Sequence, residues 1–297
     1  MKRNCKLTVF FPSSILSDVP SLAEKSFKIG QIARAASIFR VEGVTVYPDG
    51  PNWRRDAKLV YELLSYAETP QYLRKRLFPI SPWLRYAGLI PPLRTPHHPL
   101  GNEDVRYREG LVIESGANGS VVDIGLKHPV RLGGRLPRNA RVTMCLTEAG
   151  WIPVRKESVP MYWGYVPAID ERPLHKILAD RPGDLVIATS RKGKPLHAVA
   201  GELSDALKRS GSVAIFFGSP KEGLHEILHS EGKSLDGLAD MVVNIAPNQG
   251  SATIRTEEAI TITLAIMDFV EGIPLDPSLL VPSGEPTESK RSNTRDG

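Results

Sequence analysis

Five short, nearly unbroken apolar runs punctuate the chain: KLTVFF at 6–11, GVTVYP at 43–48, DLVIATS at 184–190, VAIFFG at 213–218 and MVVNIAP at 241–247. Strands covered on both faces read this way, because neither face alternates with water. Between the runs the apolar period lengthens to that of a helix. Ser21 and Glu24 form a capping box, and Leu22, Ile29, Ile32, Ala36 and Phe39 follow as a helical stripe. Segments 53–68, 201–209 and 257–270 read as further helices. Strand and helix in alternation predict a parallel α/β sheet.

From about 101 to 165 the pattern changes. RYREGLVIES, SVVDIGL and RVTMCLT alternate partially, are separated by turn signals such as Asn118-Gly119, and have no helical period between them. They predict a small all-β domain inserted between the second and third strands of the α/β domain. A partly open barrel of the OB type suits strands of this number and length, and an SH3-like barrel is the alternative. The domains expected are therefore 1–100 with 166–273 as one discontinuous unit, and 101–165 as the insert. Segment 76–100 is too rich in proline for one helix and reads as an ordered linker. His97 and His98 within it are expected to be solvated. The polar segment 274–297 reads as a disordered tail.

At 297 residues and 41% hydrophobic content, the chain can bury a core. No apolar stretch approaches the roughly 20 residues that span a bilayer, and the N-terminal run is cut short by Pro12 with no small-residue cleavage site. A cytoplasmic protein is expected. Cys5 and Cys145 stand far apart and read as reduced, structural thiols. The net charge of +5 is uneven. Residues 51–100 hold eight Lys/Arg against three acids and carry +5 themselves, whereas 211–270 hold three Lys/Arg against eight acids. Arg54, Arg55, Lys58, Arg74, Lys75 and Arg76, interleaved with Trp53, Tyr61, Tyr66, Tyr72, Phe78 and Trp83, combine attraction for phosphates with stacking surfaces.

Ligands of an open α/β sheet sit at the carboxyl ends of its strands. The sequence contains neither GxGxxG nor GxxxxGK[ST], which argues against an ordinary dinucleotide or P-loop site. The loop after VAIFF is instead GSPKEG, and the loop after MVVNIA is PNQGSATIRTEE. Two such loops on neighbouring strands can bring backbone amides and carbonyls close to a flat heterocycle. Asp170, Glu171 and His175 cluster after the insert but read as surface groups, and nothing has metal-ligand spacing.

GSPKEG followed by NIAPNQGSATIRTEEAI resembles the C-terminal half of the SPOUT methyltransferases, and KIGQIARAASIFRVEGVTVYP at 28–48 looks like the first motif of the SpoU branch. The order of half a domain, β insert and second half is similar to the branch of RNA methyltransferases with an inserted OB-like domain. The likeness covers roughly residues 6–270. It implies an α/β fold with a C-terminal trefoil knot that binds S-adenosylmethionine. Carried across residue by residue, it assigns Gly218, Ser219, Pro220, Lys221, Glu222 and Gly223 to one wall of the cofactor site. Asn244, Ile245, Ala246, Gln249, Gly250, Ser251, Thr253 and Arg255 would line the others.

Arg34 matches the arginine of the SpoU motif, and Arg255 could orient a phosphate or stabilise a developing anion. Glu257 and Glu258 are the candidate proton acceptors. IRTEEA stands where the SpoU branch has an SLN segment, which favours base over ribose methylation. The resemblance thus implies an RNA methyltransferase, with a pyrimidine ring nitrogen of ribosomal RNA as the target. Ribose 2′-O-methylation by the same fold and a non-catalytic RNA-binding scaffold are the rival readings. A homodimer is implied by the family, and helix 257–270 is apolar on more than one side.

Overall fold

The computed structural model describes residues 3 and 5–272, so the expected tail at 274–297 lies outside the described residues. All five predicted strands form and lie parallel in one sheet: β1 (Lys6–Pro12), β2 (Gly43–Tyr47), β9 (Leu185–Pro195), β10 (Ser212–Phe216) and β11 (Met241–Asn244). A sixth, β8 (Val166–Ile169), pairs in parallel with β2 at the edge and was not foreseen. Four residues that include Pro167 carry too little pattern to be read as a strand. The sheet order is β11-β9-β10-β1-β2-β8.

Alternation along β1 divides the core. Leu7, Val9 and Phe11 face one side, where α1 (Leu22–Ile38), α2 (Trp53–Glu68), α5 (Leu196–Arg209) and α7 (Thr256–Gly272) pack. Phe10 faces the other side and stacks on Phe216 with ring centroids 4.4 Å apart, under α4 (Leu174–Ala179) and α6 (Leu224–Ser230). Full burial of each such side chain contributes about 1.5–3 kcal/mol, which is why apolar residues dominate the runs. The capping box is present: Glu24 N–H donates to Ser21 Oγ at 3.2 Å and Ser21 N–H to Glu24 Oε2 at 3.1 Å. Among the described residues no helix is long and apolar enough to cross a membrane.

The insert is an antiparallel sheet of β3 (Tyr107–Gly116), β4 (Gly119–Asp123), β5 (Val130–Leu132), β6 (Arg141–Thr147) and β7 (Gly150–Val154), in the order β5-β4-β3-β6-β7. A register shift between Val112 and Glu114 bends β3. Its small core is Val112, Val122, Ile124 and Met144.

The proline-rich segment contains only short helical turns, at Pro82–Leu84 and Ala87–Leu89. The two histidines depart from expectation: His97 is 0% and His98 8% exposed. The insert folds back over them, and the Nε2 atoms of both lie within hydrogen-bonding distance of the Glu68 carbonyl, at 3.0 and 2.6 Å. The Glu68 carboxylate accepts from Arg141 Nη1 on β6 at 2.6 Å, and Arg141 also donates to Glu109 on β3 at 3.1 Å. Glu109 further accepts from Thr143 Oγ1 at 2.8 Å and from the Trp163 indole. A buried polar cluster therefore fastens the insert to the α/β domain. Burial by itself would raise the Glu68 carboxyl, but the His97 hydrogen bond and the Arg141 charge outweigh it and hold it down at about 2. Burial, with the neighbouring His97, pushes His98 down to about 3.

Candidate functional site

β10 and β11 flank β9, and the loops that leave them, with residues Thr189 to Lys192 of β9 itself, line a cavity of about 620 Å3. Its first wall is the turn after β10. Ser219 N–H donates to Glu222 O at 2.7 Å, and Ser219 Oγ accepts from the N–H groups of Lys221 and Glu222 at 3.2 and 2.8 Å. A Cβ on Gly218 would stand 2.8 Å from both Glu222 O and Gly223 Cα, so only glycine closes this turn.

The second wall is the loop after β11. Asn244 Nδ2 donates to Arg191 O at 3.1 Å while its Oδ1 accepts from Ala246 N–H, fixing the loop to β9. Gln249 Nε2 donates to Ser251 O at 2.8 Å, and Ser251 Oγ to Thr253 O at 2.9 Å. Arg191 Nη1 donates to Ala252 O at 3.0 Å, and Thr256 Oγ1 to Gly218 O at 3.2 Å, joining the two walls at the start of α7. The crowd of polar side chains in this loop satisfies the backbone of a segment that has no strand partner. Phe217, Ile245, Ala246, Ile254 and Ala259 give the cavity its apolar surface.

Gly218 to Gly223, Asn244, Ile245, Ala246, Gln249 and Thr253 all line the cavity. Gly250, Ser251 and Arg255 are exposed and do not line it, although Arg255 sits between the lining residues Ile254 and Thr256. Thr189, Ser190, Arg191, Lys192 and Glu226 line it without having been foreseen. Thr189 and Ser190 close a nearly continuous apolar run and Arg191 and Lys192 follow it, so the signal that could have found them is the charged RKGK at its end, whereas Glu226 comes from α6. Lys192 Nζ donates to Glu226 Oε1 at 2.7 Å, and this bond holds the Glu226 carboxyl below the usual carboxylate range.

The remaining candidates lie off the cavity wall. Arg34 Nη1 donates to the carbonyls of Pro92 and Leu93 at 3.1 and 2.7 Å, clamping the proline-rich segment. Glu257 is 7% exposed and pairs with Lys28 Nζ at 2.9 Å. Glu258 is exposed and accepts Arg255 N–H at 2.9 Å in the first turn of α7.

The predicted basic patch divides. Arg54, Arg55 and Lys58 are exposed on the first turns of α2, whereas Arg74, Lys75 and Arg76 end a helix not foreseen, α3 (Gln71–Leu77). Arg74 is spent internally: it donates to Thr69 O and Ala67 O at 2.9 and 3.0 Å and covers the Tyr66 ring. Arg76 pairs with Asp123 of the insert at 2.6 Å.

A parallel sheet with a cavity of polar and apolar side chains at the carboxyl ends of its strands defines an α/β protein with its cavity where open α/β sheets hold their ligands. The chain belongs to the family described as "Putative RNA methyltransferase", which matches residues 6–267. It is 33% identical to a 28S rRNA (uridine-N(3))-methyltransferase of Drosophila melanogaster, over 94% of this chain and 66% of that protein. The chain thus spans about two thirds of that relative's length. The Homo sapiens protein of the same name is 32% identical, over 88% of this chain and 77% of its own. An uncharacterized protein of Haloarcula marismortui is 33% identical over 89% of this chain and 99% of its own length.

Proposed function

We propose that the chain transfers a methyl group from S-adenosylmethionine to N3 of a uridine in ribosomal RNA. The cavity between β9 and the loops after β10 and β11 carries this reading, together with the names of the two 28S rRNA methyltransferases it resembles. The cavity's size, about 620 Å3, and its mixture of polar loop residues with Phe217, Ile245 and Ile254 suit an adenosine-containing cofactor. S-adenosylmethionine supplies a methyl group already activated on a sulfonium, so the protein has mainly to position the base and disperse charge. In this reading Gly218 to Gly223 and Asn244 to Gln249 hold the cofactor. Arg255, exposed beside the cavity, stabilises the anion that forms as the imide N3–H proton passes to solvent; N3 then takes the methyl group as its bond to the sulfonium breaks, leaving S-adenosylhomocysteine. Glu257, committed to Lys28, takes no part in proton transfer, and Arg34 acts by holding the 92–93 carbonyls.

Two features support the finer fold. β9 lies between β11 and β10, so the chain leaving β10 must pass β9 to reach β11, and α7 then returns to pack against α1 and α5. That path supports a knotted C-terminus. The insert's strand order is that of an OB barrel left open between β5 and β7. The reading also includes a homodimer formed through α1 and α7.

Calorimetric titration with S-adenosylmethionine, with NADH as control, tests the proposal. Saturable binding is expected for the parent protein and none for Ala246→Arg, whose side chain would fill the cavity, at an unchanged Tm. Equal binding of NADH would sink the cofactor assignment. Methyl transfer to the ribose 2′-hydroxyl rather than to N3 would move the reading to the ribose-modifying alternative.

A further inference from the structure

Between Asp123 and Glu148 the sequence has no acidic residue and five arginines or lysines: Lys127, Arg131, Arg135, Arg138 and Arg141. Arg131, Arg135 and Arg138 are exposed and enter none of the ion pairs among the described residues. Val130 and Leu132 pack against the insert's core, so strand alternation sends Arg131 to the opposite face. The turn that follows is held at both ends. Ser120 Oγ donates to Gly134 O at 2.9 Å and accepts from Leu136 N–H at 2.8 Å, while Asn139 N–H donates to Val112 O at 2.8 Å. Arg135 and Arg138 therefore project from a backbone that is already ordered, which lowers the entropy cost of engaging a ligand.

Two cavities meet at Leu136. One, of about 440 Å3, is walled by Arg135, Arg138 and Ser115. The other, of about 560 Å3, is lined by Arg141, Arg155 and Lys156 and runs to Val166 and Pro167 on β8. Glu68 and Glu109 lie in its floor, and Arg141 offsets one of their two charges. The excess positive charge of the groove then comes from Arg135, Arg138, Arg155 and Lys156. At its far end Val166 is 55% exposed, an apolar surface on the edge strand of the large sheet.

We infer that this groove, running from the insert's 133–139 turn across the domain junction to β8, is the track for a single-stranded segment of the RNA substrate. Its cations take phosphates, and Leu136, Val166 and Pro167 take bases or sugars. A polymer that alternates charge with flat apolar rings matches a groove that alternates cations with apolar patches. The inference rests on the RNA reading above and makes this groove the principal RNA surface in place of the 54–76 patch, two of whose six cations, Arg74 and Arg76, are engaged by Thr69 and Asp123.

The test is fluorescence anisotropy of a short polyuridylate oligomer across a potassium chloride series. The variant Arg135→Gln/Arg138→Gln/Arg155→Gln/Lys156→Gln should lower the slope of log K against log salt by about 3, at about 0.7 for each phosphate no longer neutralised. Arg135→Gln/Arg138→Gln alone touches none of the turn's holding bonds and should lower it by about half as much. S-adenosylmethionine affinity should not change in either variant. An unchanged slope overturns the groove, as does a slope lost instead in Arg54→Gln/Arg55→Gln/Lys58→Gln. Absence of RNA binding by the parent protein overturns the groove and the RNA reading together. Parent binding of RNA without S-adenosylmethionine would remove the enzyme reading and leave the groove standing.

Discussion

Glu68 lies in the last turn of α2 with 4% of its side chain exposed, and its carboxylate is shared by Arg141 and His97. Its folded pKa, about 2 against an ordinary 4.5, makes it a source of stability that is present above pH 4.5 and is lost as the pH falls towards 2. The shift corresponds to about 3 kcal/mol. His98 acts in the same direction at higher pH. It stays neutral in the folded chain down to about pH 3, while the unfolded chain takes up the proton below about 6.5, so stability falls as the pH drops through that window. Urea unfolding monitored between pH 7 and pH 2 should show a progressive loss, and Glu68→Gln should unfold more readily than the parent at pH 7. A flat profile would show that the cluster does not hold the junction. None of this was legible in PHHP, where two histidines among prolines read as a solvated loop. What buries them is a contact with the insert: Gly164, at φ +78°, passes so close that a Cβ there would lie 2.5 Å from His97 Cε1.

At the level of elements, α1 and α7 are joined by a buried charge. Lys28 is 2% exposed, lies on the core side of α1, and pairs with Asp18 at 2.7 Å and Glu257 at 2.9 Å. Replacing it leaves a buried carboxylate without a partner, so Lys28→Met should cost about 3–5 kcal/mol, measured by denaturant unfolding. Lys28→Met/Glu257→Leu should recover most of it, and a double variant as unstable as the single one would refute the pairing. The helices themselves were legible from period and capping, as were the five buried strands, because each is a local pattern tens of residues from its neighbours. β8, α3, α4 and α6 were not. They are four to seven residues long, too short to establish a period, and are stabilised by what they pack on.

The whole molecule leaves an apolar ridge exposed. Phe27 and Ile38 on α1 are 50% and 55% exposed, and their spacing puts both on one face of the helix; Ile262 and Phe269 on α7 are 36% and 68% exposed, two turns apart. α1 and α7 pack against one another on the same side of the sheet. A second copy covering this ridge should give a particle of twice the chain mass in light scattering, and Phe269→Asp should shift it to the monomer. A parent protein that is monomeric at every concentration would remove the dimer from the reading. The sequence by itself determined the parallel sheet, the β insert and the two loops that line the cavity, because apolar period and loop composition act locally along the chain. Only the tertiary structure decided which charges are free. Arg34, Arg74, Arg76 and Glu257 looked available as letters, yet each is held by a partner more than four residues away, most of them tens of residues distant. Arg135 and Arg138 stand free because their strand, turn and cavity come together only once the insert has closed on its own core.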